Sequence, residues 1–285
     1  MRSRQTPVIP NMTRRTWVLG PIWAWLLLFV AAPVAIVAAL SFSTSIVGVP
    51  PYTPLLYSPD LANYTQLTDD AFYLDAALKS LLVAGVSSAL CLLIGYPMAL
   101  AITRTSERWR NLLLLLVMLP FWTGFLLRVT AWIGLLREGG WIDLVARAIG
   151  LPPPALLYTD AAMFIGITYA YLPFMILPLY ARLSKRDPAL EEAAADLGAS
   201  PWTTFRTVTW PLSLPGVAAG LALVFIPAVG EYVIPELLGG PGAQTIGRAL
   251  WNEFFSNRDW PMAATVATAL LLGLLVPMVL LRTRE

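Results

Sequence analysis

Six stretches of this chain are long and apolar enough to cross a bilayer, and that property excludes most folds at once. Leu19–Phe42, Ser80–Thr103, Ala161–Ala181, Leu212–Gly230 and Pro261–Leu281 hold no charged residue, and Asn111–Leu136 holds one, Arg128. A helix needs about 20 apolar residues to span the hydrocarbon layer. Lipid offers no water to unpaired N–H and C=O groups, so continuous apolar runs read as helices. A barrel would show alternation in segments of about ten residues instead. Only 13% of the 285 residues are charged, against about 25% in soluble domains. The expected fold is therefore all-α and integral to a membrane, with about six transmembrane helices.

The expected organisation is a cytoplasmic tail over 1–15 and one transmembrane domain over 16–285. Its spans lie near 19–42, 74–103, 111–136, 160–182, 212–233 and 260–281, with a long loop over 183–211. The first apolar window follows Arg14 and Arg15. It is longer than a signal-peptide core of about 7–15 residues, so an uncleaved span is expected.

Orientation follows from Lys and Arg in the loops. Arg2, Arg4, Arg14, Arg15, Arg104, Arg108, Arg110, Arg182, Lys185, Arg186, Arg206, Arg282 and Arg284 fall on one side, and only Arg137, Arg147, Arg248 and Arg258 on the other. Both termini are then expected in the cytoplasm. A net charge of +2 makes no case for nucleic acid. The chain has no histidine and a single cysteine, Cys91. Neither a disulfide framework nor the commonest general base or metal ligand is available. With no paired carboxylates inside a span, a membrane enzyme lacks its constellation.

The loop over 183–211 carries a second pattern. Asp187-Pro188 is a helix start signal, because Asp caps free amides and Pro suits the first position. Glu191 and Glu192 then sit near the positive end of the helix dipole. Leu190, Ala193, Ala194 and Leu197 follow i, i+3, i+4, i+7 spacing and form a narrow apolar stripe. Gly198 ends the helix, and Ser200-Pro201 starts the next one. Two uses are open on these residues alone: floating on headgroups, or docking in a groove of another protein.

This segment resembles the signature loop of permease subunits in binding-protein-dependent ABC importers. Glu192, Ala193, Ala194, Gly198 and Pro211 match the motif, Val208 stands where Ile is usual, and Trp210 replaces the usual Leu. LPFWTGFLLRVTAW (Leu119–Trp132), GITYAYLPFMILPLY (Gly166–Tyr180), FIPAVGEYVIPELLGG (Phe225–Gly240) and NRDWP (Asn257–Pro261) are similar to the spermidine/putrescine permeases, closest to the putrescine type. The resemblance covers roughly residues 15–282. It implies a type I importer permease of MetI-like fold in a bacterial inner membrane. Its partners would be a second homologous permease, a dimer of ATPase subunits and a soluble substrate-binding protein. The short helix would dock in the ATPase, making Asp187, Glu191, Glu192, Ala193, Ala194, Leu197, Gly198 and Pro211 the coupling loop. No Gly-rich phosphate loop occurs here. The chain would carry no cofactor of its own, and ATP and magnesium would be held by the ATPase.

A polyammonium cargo would need carboxylates or aromatic faces along its path. The candidates are Glu231, Tyr232, Phe225, Pro227, Tyr169, Tyr171, Phe174 and Trp122. Tyr169 and Tyr171 are two apart on a helix and cannot face the same way. Glu231 lies about 28 Å along its span and Arg128 about 26 Å along its own at 1.5 Å per residue. Two arrangements are open: an ion pair between them, or a pore-facing Glu231 that attracts an ammonium group. Pro227 and Gly230 interrupt the fifth span, so Phe225–Tyr232 is either a gate or an ordinary kink. Other readings are a permease of the same class for another small solute and a stand-alone ion-driven carrier.

Overall fold

A computed structural model of the protein describes residues 12–45, 55–56 and 59–282. Most of the expected tail, residues 1–11, lies outside them. The described residues form fourteen α-helices and one two-stranded antiparallel sheet. All six apolar windows are largely helical, the third with a break at Thr123 and Gly124. Leu19–Leu40, Ala71–Arg104, Asp160–Leu183 and Pro201–Val229 each suffice to cross a membrane, and Trp260–Val276 is apolar but shorter.

The chain divides into two compact units, residues 1–69 with 253–285, and residues 70–252. In the first, α1 (Met12–Leu26) and α2 (Ala32–Leu40) are joined by a π-turn over Leu27–Ala31. Helix α14 (Trp260–Arg282) packs on α2 and on α3 (Ala62–Asp69). A polar knot fixes this corner. Thr265 Oγ1 donates to the Ser41 carbonyl at 3.0 Å, the Ser41 and Tyr64 hydroxyls meet at 2.7 Å, and Asn63 Nδ2 donates to the Ser43 carbonyl at 2.8 Å. Strands β1 (Thr44–Ser45) and β2 (Leu55–Leu56) pair beside it. Ser45 Oγ donates to Asp259 at 3.0 Å.

The second unit is built on three long helices: α4 (Ala71–Arg104), α8 (Asp160–Leu183) and α11 (Trp210–Val229). Cys91, Ala99, Met175, Leu179 and Val224 form their buried centre. Their approach depends on missing side chains. A Cβ on Gly220 would lie 2.6 Å from Met175 Sδ, and one on Gly216 would lie 2.8 Å from Arg182 Cβ. Without a hydrophobic force between helices in lipid, such close contact is what holds them.

The third window departs from expectation. The apolar run over 111–136 predicts one helix, but the chain forms α5 (Glu107–Met118), a 3₁₀ turn over Leu119–Trp122 and α6 (Phe125–Leu136). Glu107–Trp122 and Phe125–Ala148 are bent by 93° to one another. Pro120 has no N–H to continue the ladder. Thr123 turns extended at φ −94°, ψ 145°, and its hydroxyl donates to the Pro120 carbonyl at 2.8 Å. Distance counted along one straight helix therefore does not give the depth of Arg128. The remaining elements of this unit are α7 (Trp141–Ala148), α9 (Ala189–Asp196), α10 (Pro201–Thr204), α12 (Val233–Leu237) and α13 (Ile246–Trp251).

Replacing Gly220 by Val should overpack the α8–α11 contact and cost about 1–3 kcal/mol. Thermal unfolding of the detergent-purified protein checks this, with Ala218→Val on the exposed side of α11 as control.

Candidate coupling helix and translocation path

Helix α9 forms as its residues dictate. Asp187 Oδ1 accepts from the Ala189 amide at 3.0 Å. At the other end Gly198 adopts φ +79°. Its amide donates to the Ala195 carbonyl at 2.8 Å, and the Ala199 amide to the Ala194 carbonyl at 3.0 Å. This double bond pattern needs a left-handed residue at its centre, which Gly supplies without a Cβ clash. Ser200 then accepts from the Thr203 amide at 3.2 Å and opens α10. A π-turn over Phe205–Thr209 leads into α11, with Pro211 exposed at its second position.

Most of α9 is uncovered. Glu192, Ala193 and Leu190 are exposed, Ala194 is half-buried, and Leu197 is 89% exposed. The apolar stripe thus faces outward. Glu191 does not share that exposure. Its carboxylate lies 2.8 Å from Arg186 and accepts from Thr209 Oγ1 at 2.5 Å. Neither Arg186 nor Thr209 belongs to the expected site. They come from different elements, so no periodicity in the sequence joins them.

The second candidate region lies where α11 ends. The helix stops at Gly230, and the chain turns into α12. Glu231 Oε1 caps α12 by accepting from the Val233 amide at 3.0 Å and the Ile234 amide at 3.4 Å. Its Oε2 accepts from the Tyr171 hydroxyl at 2.5 Å. Thr245 Oγ1 donates to the Glu231 carbonyl at 3.3 Å, and the Ile246 amide donates to Ser80 Oγ at 2.8 Å. A Cβ on Gly247 would lie 2.4 Å from the Gly230 carbonyl oxygen. The turn is therefore clamped between α8 and α13.

The Arg128–Glu231 ion pair does not form. Arg128 instead lies over the rings of Phe121 and Phe125, at 5.3 and 5.6 Å. Its Nε and Nη1 are buried without a hydrogen-bond acceptor among the described residues. The physical reason is twofold. Glu231 is already occupied by Tyr171 and the α12 amides, and the break before α6 turns Arg128 toward the phenylalanines.

Of the expected path residues, three come together: Glu231, Tyr171 and Phe174, the last with ring centroids 6.0 Å from Tyr171. Tyr232 stacks on Trp251 at 4.1 Å and 12°. Tyr169 faces another way and meets Trp132 edge-on at 5.4 Å. Phe225 is half-buried and Pro227 exposed, and Trp122 is 77% exposed. A cavity of about 440 Å³ between α4, α5 and α8 is lined by Tyr169 and otherwise by apolar residues such as Met98, Leu116 and Ile176. It offers no carboxylate to a cation. Glu236, on α12, is paired with Arg248 at 2.5 Å. Among the described residues no three His, Cys, Asp or Glu gather as a metal site.

Residues 91–281 match the family described as binding-protein-dependent transport system inner membrane component. The chain belongs to this family. The spermidine/putrescine transport system permease protein PotB of Haemophilus influenzae is 38% identical over 262 residues, covering 91% of this chain and 88% of that one. PotB of Escherichia coli K12 is 36% identical over 262 residues, covering 91% and 93%. The crystal structure of a bacterial ABC transporter involved in the import of the acidic polysaccharide alginate matches with TM-score 0.66 and 20% identity. It covers 93% of this chain and 94% of that one. At that identity the likeness shows the importer-permease fold, and the expected fold class holds. This permease is therefore an integral inner-membrane transport component.

Tyr171→Phe should leave Glu231 without its hydroxyl donor and cost the permease about 1.5–3 kcal/mol, the range for a hydrogen bond to a charged group. Thermal unfolding in detergent checks this. Loss of the Tyr169 hydroxyl, which makes no hydrogen bond to another described residue, should cost far less.

Proposed function

We propose that this permease is one of two pore-forming subunits of an ATP-driven importer that moves polyamine cations of the putrescine and spermidine kind into the cytoplasm. The observation that carries the reading is the 36–38% identity to PotB over about nine-tenths of both chains. Its partners are a second homologous permease, a pair of ATPase subunits and a soluble substrate-binding protein. ATP and magnesium are bound by the ATPase, and this chain performs no catalysis itself. The excess of Lys and Arg in the N-terminal segment, the loop over 183–211 and the C-terminal end supports cytoplasmic termini.

In this reading α9 docks in the ATPase. The exposed stripe of Leu190, Ala193 and Leu197 supports this, because small side chains allow close seating. ATP-driven closure of the ATPase pair draws two such helices together and turns the pore from inward-facing to outward-facing. Glu231, Tyr171 and Phe174 form a cluster that couples a carboxylate to aromatic rings. That chemistry suits an ammonium group in transit. Phe225, Pro227 and Tyr232 flank the turn at Gly230 and belong to the gate, with Tyr169 and Trp122 further from it.

A strain deleted for this chain should lose energy-dependent uptake of radiolabelled putrescine or spermidine and regain it from a plasmid copy. Unchanged uptake of both would overturn the cargo. Gly198→Val forces a β-branched residue into left-handed backbone, at about 1–2 kcal/mol of strain. It should detach hydrolysis from transport, seen as a tenfold or greater fall in uptake with the protein still in the membrane. Glu231→Gln should lower putrescine uptake several-fold, and wild-type uptake would remove Glu231 from the path.

A further inference from the structure

A push on α9 is useful only if it reaches the three long helices. The outward stripe cannot carry it there, since Leu190, Ala193 and Leu197 touch solvent. Glu191 precedes the motif residue Glu192 by one position, which is about 100° around the helix. That rotation separates two adjacent acids. Glu192 is exposed, whereas the Glu191 side chain is only 25% exposed.

Glu191 meets three elements with one oxygen. Oε1 lies 2.8 Å from Arg186 Nη1, just past the end of α8. It accepts from Thr209 Oγ1, in the π-turn that begins α11, at 2.5 Å. It lies 3.8 Å from Nη2 of Arg104, the last residue of α4. Among the described residues no other side chain of α9 makes a hydrogen bond or ion pair to another element. Thr209 itself is buried, and a π-turn carries an extra residue per turn and so changes which side chain faces inward. The next layer joins the same helices again. Tyr96 of α4 meets Ser213 of α11 at 3.0 Å, and its ring packs against Phe205 and Trp210.

We infer that Glu191 is a positioning residue for transport: the pin that ties α9 to the adjoining ends of α4, α8 and α11, while Glu192 and Leu197 face the ATPase. The inference rests on the reading of α9 as the ATPase-docking helix. A carboxylate held by two guanidinium groups and a hydroxyl resists sliding in several directions at once. A contact between alanines would slip. The two adjacent acids of α9 therefore divide the work, one outward and one inward.

The test uses the complex purified through a tag on this chain and placed in liposomes with its binding protein. Putrescine uptake and phosphate release are measured in the same vesicles. Glu191→Gln should still co-purify the ATPase at wild-type stoichiometry, yet putrescine moved per phosphate released should fall at least fivefold. Combining Glu191→Arg with Arg186→Glu should recover at least half of the wild-type ratio. Thr209→Val removes one hydrogen bond and no charge, and should lower the ratio about twofold. It keeps the test decisive if Glu191→Gln does not accumulate. A wild-type ratio in assembled Glu191→Gln or Thr209→Val complexes overturns the inference. So does loss of the ATPase from the Glu191→Gln complex, because the residue would then serve the docking face. Failure of the wild-type chain to co-purify any ATPase would overturn the functional reading instead.

Discussion

Every backbone N–H and C=O placed in hydrocarbon needs a partner inside the protein. Where the helices of this permease run unbroken, the ladder supplies it. Where they stop, some other group must. At Thr123 the hydroxyl takes the Pro120 carbonyl. At Gly230 the carboxylate of Glu231 takes two amides of α12, and Thr245 takes the Glu231 carbonyl. Both breaks lie in the unit that also holds the three-helix core. The interruptions are thus built into the fold and satisfied locally, which lets irregular backbone persist beside α8.

Charge in so apolar a chain is placed by the same economy of partners. Glu231 is held by a tyrosine and two amides, Arg128 by two phenylalanine faces, and Glu191 by two arginines and a threonine. Each arrangement joins parts of the chain that are far apart or separated by a break. A charge that must be compensated therefore acts as a structural tie. In the Glu191 and Glu231 cases the tie lies where the proposed transport cycle needs a rigid connection: beneath the docking helix, and across the turn at the end of α11.

Close packing of α4, α8 and α11 gives those ties something firm to pull on. Gly216 and Gly220 let α11 approach until Met175 and Arg182 fill the space a side chain would occupy. A looser bundle would absorb a displacement of α9 by side-chain adjustment. Interiors at close-packed density transmit it instead.

Much of this was legible in the residues, because the signals are local. Apolar run length marks the spans. Asp187, Gly198 and Ser200 mark the ends of α9 and the start of α10 through bonds that reach no more than a few residues. Family membership also followed from contiguous stretches. The break after Trp122 was hidden, since Leu119–Leu136 holds no charge but Arg128 and composition does not distinguish a bent pair from one span. The partner of Glu231 was hidden for the same kind of reason. Equal counting along two helices left Arg128 open as one of two arrangements, but the carboxylate found Tyr171, 60 residues away in sequence. By itself the sequence determined the membrane class, most of the long helices and the capped loop between α8 and α11, since these depend on chain-local hydrogen bonding and hydrophobicity. Only the tertiary structure decided which acid faces inward and which charge goes unpaired, because those outcomes depend on groups that folding brings together from separate elements.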